Sequence, residues 1–186
     1  ALGRGTLGKV QLLRRERDWS YALSAEERSN GYADIAFEPA QVRTLSVRQF
    51  SASARIASAQ WLNLLGLRTR DTTGTFDTAT LGWSMSLPRS ITLSANLTRF
   101  GGTTAPAVTV FSLALSMPFG ERDYAVASVE KRSDASRPDA LLQWSRNLLE
   151  SDSIGYRLIG GDQSGQHRIE ASVVARTGFG EFAAEA

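Results

Sequence analysis

The chain has 186 residues, with 21 Lys and Arg against 19 Asp and Glu, so its formal net charge is only +2. So small an excess gives no electrostatic case for nucleic acid as a partner. Cysteine is absent, which excludes a disulfide-stapled module and any thiolate metal site, and no run of ~18 apolar residues marks a transmembrane helix.

Residues 1–18 hold Gly3, Gly5 and Gly8, then Val10-Gln11-Leu12-Leu13 and a charged cluster from Arg14 to Asp18, which reads as a strand ending in a charged turn. Trp19, Tyr21, Leu23 and Ala25 alternate with Ser20, Ala22, Ser24 and Glu26. A period of two puts successive side chains on opposite faces, so this stretch is a second strand. Ser29-Asn30-Gly31 supplies a turn, because Asn and Gly tolerate positive φ. Tyr32 to Phe37 is expected to return as a short strand, broken at Glu38-Pro39 where proline cannot donate to a ladder. Phe50, Ala52, Ala54 and Ile56 then alternate with Ser51, Ser53 and Arg55. From Trp61 to Arg70 the pattern is mixed, leaving open whether Leu62 and Leu64 or Leu65 and Leu67 share the apolar face. Asp71-Thr72-Thr73-Gly74 is the following loop.

Residues 75–119 carry the clearest signal. Ala79, Leu81, Trp83, Met85 and Leu87 alternate with Thr80, Gly82, Ser84 and Ser86. After Pro88-Arg89-Ser90 the alternation resumes, with Ile91, Leu93, Ala95 and Leu97 against Thr92, Ser94, Asn96 and Thr98. Gly101 to Pro106 breaks it again. Phe111, Leu113, Leu115, Met117 and Phe119 then alternate with Ser112, Ala114, Ser116 and Pro118. Runs of about nine to eleven residues match a tilted membrane-crossing strand and exceed the usual globular strand of about five or six.

Gly120 to Asp123 turns the chain into a weaker strand, Tyr124 to about Arg132. Ser133 to Asp139 is a polar loop, and residues 140–146 place Ala140, Leu142 and Trp144 on one face. A turn around Glu150-Ser151-Asp152 leads to Ile154, Tyr156 and Leu158. Gly160 to Gly165 is expected to form a second polar loop. Ile169, Ala171, Val173 and Ala175 alternate with Glu170, Ser172, Val174 and Arg176 before Thr177-Gly178 turns into Phe179.

No stretch has a helical period. About ten or eleven long strands with a turn signal every dozen or so residues predict an all-β antiparallel meander, one domain over residues 1–186. From residue 75 tight connections (88–90, 120–123, 177–178) alternate with longer polar ones (101–106, 133–139, 160–166), as the two rims of an outer-membrane barrel do. The polar face is mostly Ser, Thr, Gly and Asn, unlike a solvated sandwich surface. Trp19, Phe50, Trp61, Phe76, Phe100, Phe119 and Tyr124 read as an aromatic girdle at strand ends, with Trp83, Phe111 and Trp144 in mid-strand. The expected architecture is part of a transmembrane β-barrel, with a soluble β-sandwich as the alternative. A start at Ala1 without an initiator methionine, and an end just after another strand begins, suggest a segment of a longer protein.

Leu81-Gly82-Trp83-Ser84-Met85-Ser86-Leu87, Leu93-Ser94-Ala95-Asn96-Leu97, Leu113-Ala114-Leu115-Ser116-Met117-Pro118-Phe119-Gly120, Gly155-Tyr156-Arg157-Leu158 and Gly178-Phe179-Gly180 follow one another in order and spacing. In this the stretch from about Tyr21 to Phe182 resembles the later half of the translocation barrel of fimbrial outer-membrane usher proteins of the chaperone–usher pathway. These motifs match the family's repeated S-Y-S-x-S-L strands, its L-S-I-P-L-G strand end, its G-Y-R strand and its Y-G turn. Glu150-Ser151-Asp152-Ser153 departs from the prolines and glycines usual before the G-Y-R strand. The resemblance implies a pore segment, not an enzyme, that supports assembly and secretion of pilus subunits in the outer membrane of a Gram-negative bacterium. Periplasmic chaperone and pilus subunits would be engaged through regions not recognisable here, outer-membrane lipid would surround the wall, and no cofactor is implied. A porin or autotransporter translocator is the alternative membrane reading; a soluble extracellular binding or adhesion sandwich is the alternative outside that class.

Arg55, Arg99, Arg146, Arg157 and Arg176, with Arg168, are candidates to point into a lumen, against a reading as rim or solvated-face charge. His167, the single histidine, lies beside a Gly-rich stretch with no G-x-S-x-G elbow, so a polar residue at a loop edge is expected rather than a catalytic base. With Asp162 and Glu170 it makes a poor metal site. Gly160 to Gly165 lacks the lysine and following helix of a phosphate loop. No catalytic, cofactor or metal residue is expected.

Overall fold

The structure is a computed structural model that describes residues 5–29, 44–148 and 153–186. The expected turn at Asn30-Gly31, the strand Tyr32 to Phe37 with its break at Glu38-Pro39, and the turn at Glu150-Ser151-Asp152 lie outside the described residues.

The described residues form twelve strands in a single antiparallel meander. They are β1 (Leu7–Arg15), β2 (Trp19–Arg28), β3 (Thr44–Ala57), β4 (Gln60–Asp71), β5 (Thr75–Ser86), β6 (Thr92–Gly102), β7 (Val108–Phe119), β8 (Asp123–Arg132), β9 (Asp139–Arg146), β10 (Ser153–Gln163), β11 (Gln166–Thr177) and β12 (Gly180–Glu185). Each strand pairs with its neighbours in sequence, and β1 and β12 are the open edges of the sheet. The hairpins whose connections are described follow from the turn chemistry. At Pro88–Ser90 both Arg89 (φ 62°) and Ser90 (φ 60°) are left-handed, closed by Leu87 N–H donating to Ile91 O at 2.7 Å. Between β4 and β5 the Asp71 carboxylate accepts from Thr73 N (2.6 Å), Thr73 Oγ1 (2.7 Å) and Gly74 N (2.8 Å), an Asx turn that its short side chain makes possible.

Two expectations are corrected here. The polar loop over residues 160–166 shrinks to Ser164 (φ 56°) and Gly165 (φ 79°), a two-residue turn with both residues left-handed. Gly160 and Gly161 belong to β10, paired with Leu142 and Leu141 on one side and Ile169 and Arg168 on the other. Gly161 is needed for a close approach rather than a bend, since a Cβ there would strike the Ala140 carbonyl. Phe50 lies in the middle of the 14-residue β3 rather than at a strand end, because pairing with β2 and β4 carries the strand back to Thr44, before the alternation becomes visible.

The chain forms two compact units, one of residues 1–83 with 97–109 and the other of 84–96 with 110–186. Neither has an apolar core of ordinary size. Among the described residues the buried apolar side chains are Val108 in the first unit and Ile159 in the second, at 7% and 5% exposure. In β7 and β9 the apolar positions of the alternation are instead the exposed ones, while Phe50 of β3, Trp83 and Met85 of β5 and Leu93 of β6 are half-buried.

Candidate functional site

Register sorts the side chains of each unit into two faces. In the first unit Leu12, Leu23, Phe50 and Gly66 form one cross-strand row, and Arg14, Tyr21, Ala52 and Leu64 the next. This resolves β4: Leu62 and Leu64 join the apolar face, whereas Leu65 and Leu67 stand opposite Ser51 and Gln49 on the other. In the second unit Leu115, Ala127, Leu142 and Gly160 make one row, and Met117, Ala125, Trp144 and Leu158 another.

Exposure separates the faces. In β7, Phe111, Leu113 and Leu115 are exposed, while Ser112, Ala114 and Ser116 between them are half-buried. In β9, Ala140, Leu142 and Trp144 are exposed, Leu141 and Gln143 half-buried, and Ser145 buried at 5%. Leu7 and Leu13 of β1, Trp61 and Leu65 of β4 and Phe76 of β5 depart from this, as large apolar residues exposed on the polar face. A soluble sheet covers its leucines and wets its serines, because each large apolar side chain removed from water contributes roughly 1.5–3 kcal/mol. Here the order is inverted.

The shielded face holds hydroxyl and amide ladders. Ser20 Oγ and Ser53 Oγ are 2.8 Å apart, Thr80 Oγ1 and Thr98 Oγ1 3.1 Å apart, and Gln143 Nε2 donates to Ser145 Oγ at 3.0 Å. The Ser20–Ser53 and Thr80–Thr98 pairs cross between strands, where each contributes roughly 0.2–1 kcal/mol and helps fix register, whereas Gln143 and Ser145 lie two residues apart along β9. No described buried side-chain polar atom lacks a partner.

Aromatic pairs cluster towards strand ends. Trp19 stacks on Tyr21 (5.8 Å between centroids), Phe76 tilts against Phe100 (6.5 Å), and Trp144 meets Tyr156 edge to face (6.1 Å). Trp144 lies close to Arg146 at the end of β9, not in mid-strand.

The candidate arginines divide between the faces. Arg55, Arg157 and Arg176 share the Ser face by register, as does Arg168 opposite Gly161. Arg55 Nη2 donates to Ser58 O at 2.6 Å and Nη1 lies 3.5 Å from Asp18, while Arg176 holds Glu181 at 2.8 Å. Arg99 and Arg146 fall on the apolar face instead, at its margins: Arg99 has the parity of Leu97 in β6, and Arg146 that of Leu142 and Trp144 in β9. Arg146 makes two hydrogen bonds to Asp123, at 2.8 and 2.9 Å, and its guanidinium covers the Tyr156 ring at 5.4 Å. Parity alone would have found both exceptions.

His167 is the second residue of β11, 90% exposed at its side chain and 3.6 Å from Asp162. Among the described residues no cluster of His, Asp and Glu could hold a metal ion. In the β8–β9 loop, a hydrogen bond from Arg132 holds the Asp134 carboxyl below the usual carboxylate range. Within each unit the geometry sets an apolar face against a hydroxyl-lined one, with charge towards strand ends. Compared with known protein families, curated proteins and solved structures, the chain has no match.

Proposed function

We propose that this chain is a wall segment of an outer-membrane β-barrel, with Leu115, Leu142 and their row facing lipid and Ser116, Gln143 and theirs facing an aqueous interior. What carries this reading is the inverted exposure in β7 and β9, where leucines are open and serines shielded. Hydrocarbon covers such a face at no hydrophobic cost, and the strand ladder satisfies the backbone groups of β2 to β11, while the edges β1 and β12 would pair with the rest of the wall. The 12-residue β5, β7 and β11 also have the length to cross it.

Within that class the ordered motifs at residues 81–87, 93–97, 113–120, 155–158 and 178–180 support an usher pore, through which pilus subunits delivered by a periplasmic chaperone are assembled and secreted. Arg55, Arg157 and Arg176 would then meet the passing subunit from the interior face. Insertion tests the class: urea-unfolded chain diluted into phosphatidylcholine vesicles should gain β-structure and protease resistance, and precipitate without lipid. A chain that folds to a soluble monomer in buffer contradicts it. Sequencing the parent gene outward tests the usher reading. A capture domain and a barrel-interrupting plug upstream support it; flanks that encode a porin or autotransporter passenger would replace it.

A further inference from the structure

We infer that the apolar face of the first unit carries a binding site for one phospholipid with an anionic phosphate headgroup, an inference that rests on the membrane reading above. The site is a groove of about 970 Å³. Its floor is open because small residues stand between larger ones: Leu12, Leu23 and Phe50 rise on one side, and the row continues into Gly66, with Ala79 of β5 also lining the groove. A Cβ added at Gly66 would meet nothing within 4 Å. The groove therefore has the lining an acyl chain takes.

One row further along the strands the chemistry changes sign and polarity. Ala25, Arg48 and Arg68 pair across β2, β3 and β4, and Asp77 and Arg99 line the same end of the groove. Three guanidiniums thus stand against two carboxylates, Asp77 in the lining and Glu27 beside Arg48. Arg48 is engaged by Glu27 at 2.7 Å, and Arg68 reaches Asp77 only at 3.4 Å. Among the described residues no carboxylate pairs with Arg99. Guanidinium forks match phosphate oxygens bidentately, and a phosphodiester at this end would pair the Arg99 guanidinium and share the Arg68 fork, whose contact with Asp77 is long. An apolar trough leading into an arginine cluster is the complement of an anionic amphiphile.

The test uses the 186-residue chain in dodecyl maltoside micelles supplied with dioleoyl phosphatidylglycerol or with dioleoylglycerol, which has the same acyl chains and no phosphate. Native mass spectrometry counts retained lipid. One phosphatidylglycerol should survive per chain, at least tenfold more populated than the diacylglycerol adduct. Gly66→Leu, which fills the groove and leaves every arginine, should reduce retention about tenfold, and so should Arg68→Gln with Arg99→Gln. Arg17→Gln, in the β1–β2 turn, should change nothing. Equal retention of the two lipids, or variants that retain phosphatidylglycerol like the parent, would overturn the site. Quenching of Trp83 by brominated acyl chains separates the two failures. Quenching without selective retention leaves the membrane reading and removes the lipid site; absence of quenching removes both.

Discussion

Arg146 and Asp123 face each other across β9 and β8 through two hydrogen bonds, 2.8 and 2.9 Å, on the face that Trp144 and Leu142 occupy. Tyr156 Oη donates to the same carboxylate at 3.0 Å. On the proposed barrel wall, an ion pair on the apolar face would belong where hydrocarbon gives way to headgroups and water, at the level of the aromatic pair Trp144–Tyr156. This group fixes the β8–β9–β10 register at its margin. Asp123→Asn and Arg146→Gln should each lower the urea midpoint of the vesicle-inserted chain with the slope unchanged, and the double variant should be no worse than the poorer single. Additive losses would mean the two residues act separately.

Parity decides what a charge costs. Leu115 and Ser116 are neighbours in the middle of β7, one exposed and the other half-buried. Leu115→Arg puts a guanidinium into hydrocarbon and should cost roughly 2–4 kcal/mol of insertion free energy. Ser116→Arg should change it by less than about 0.5 kcal/mol, as a lumen position does. Urea titration in vesicles reads both, and equal costs would remove the distinction between the faces.

The two adjacent glycines of β10 should behave differently. Alanine at Gly161 would drive its Cβ against the Ala140 carbonyl, whereas at Gly160 it meets nothing within 4 Å. Gly161→Ala should destabilise by about 1–3 kcal/mol and speed amide exchange in β9 and β10, with Gly160→Ala near neutral. The same loss for both would place the strain elsewhere.

Much of this was legible from the residues. The period of two in β2, β5, β6, β7 and β11 put their strands in place, since alternation is the direct imprint of a pleat. What alternation could not say is which face is covered, because a sandwich and a barrel wall write the same pattern. Exposure of Leu113 over Ser112 supplies that. Gly160-Gly161 read as a loop because glycine signals a bend and a close approach alike; only the Ala140 carbonyl distinguishes them. Shared chemistry groups the arginines, but the parity of Arg99 with Leu97 separates Arg99 from them. The visible alternation begins at Phe50, six residues into β3, since Leu45-Ser46-Val47-Arg48 alternates weakly and depends on pairing with β2 and β4.

The absence of cysteine makes the central claim directly measurable. Single cysteines at Ser112, Leu113, Leu115 and Ser116, each carrying a nitroxide, would be placed in the vesicle-inserted chain and their collision rates with oxygen and with a water-soluble nickel chelate compared. Labels at 113 and 115 should meet oxygen and be hidden from nickel, and labels at 112 and 116 should show the reverse. Labels at 113 and 115 shielded from both reagents, with 112 and 116 open to nickel, would instead describe leucines packed in a protein core, and the barrel-wall account would be wrong.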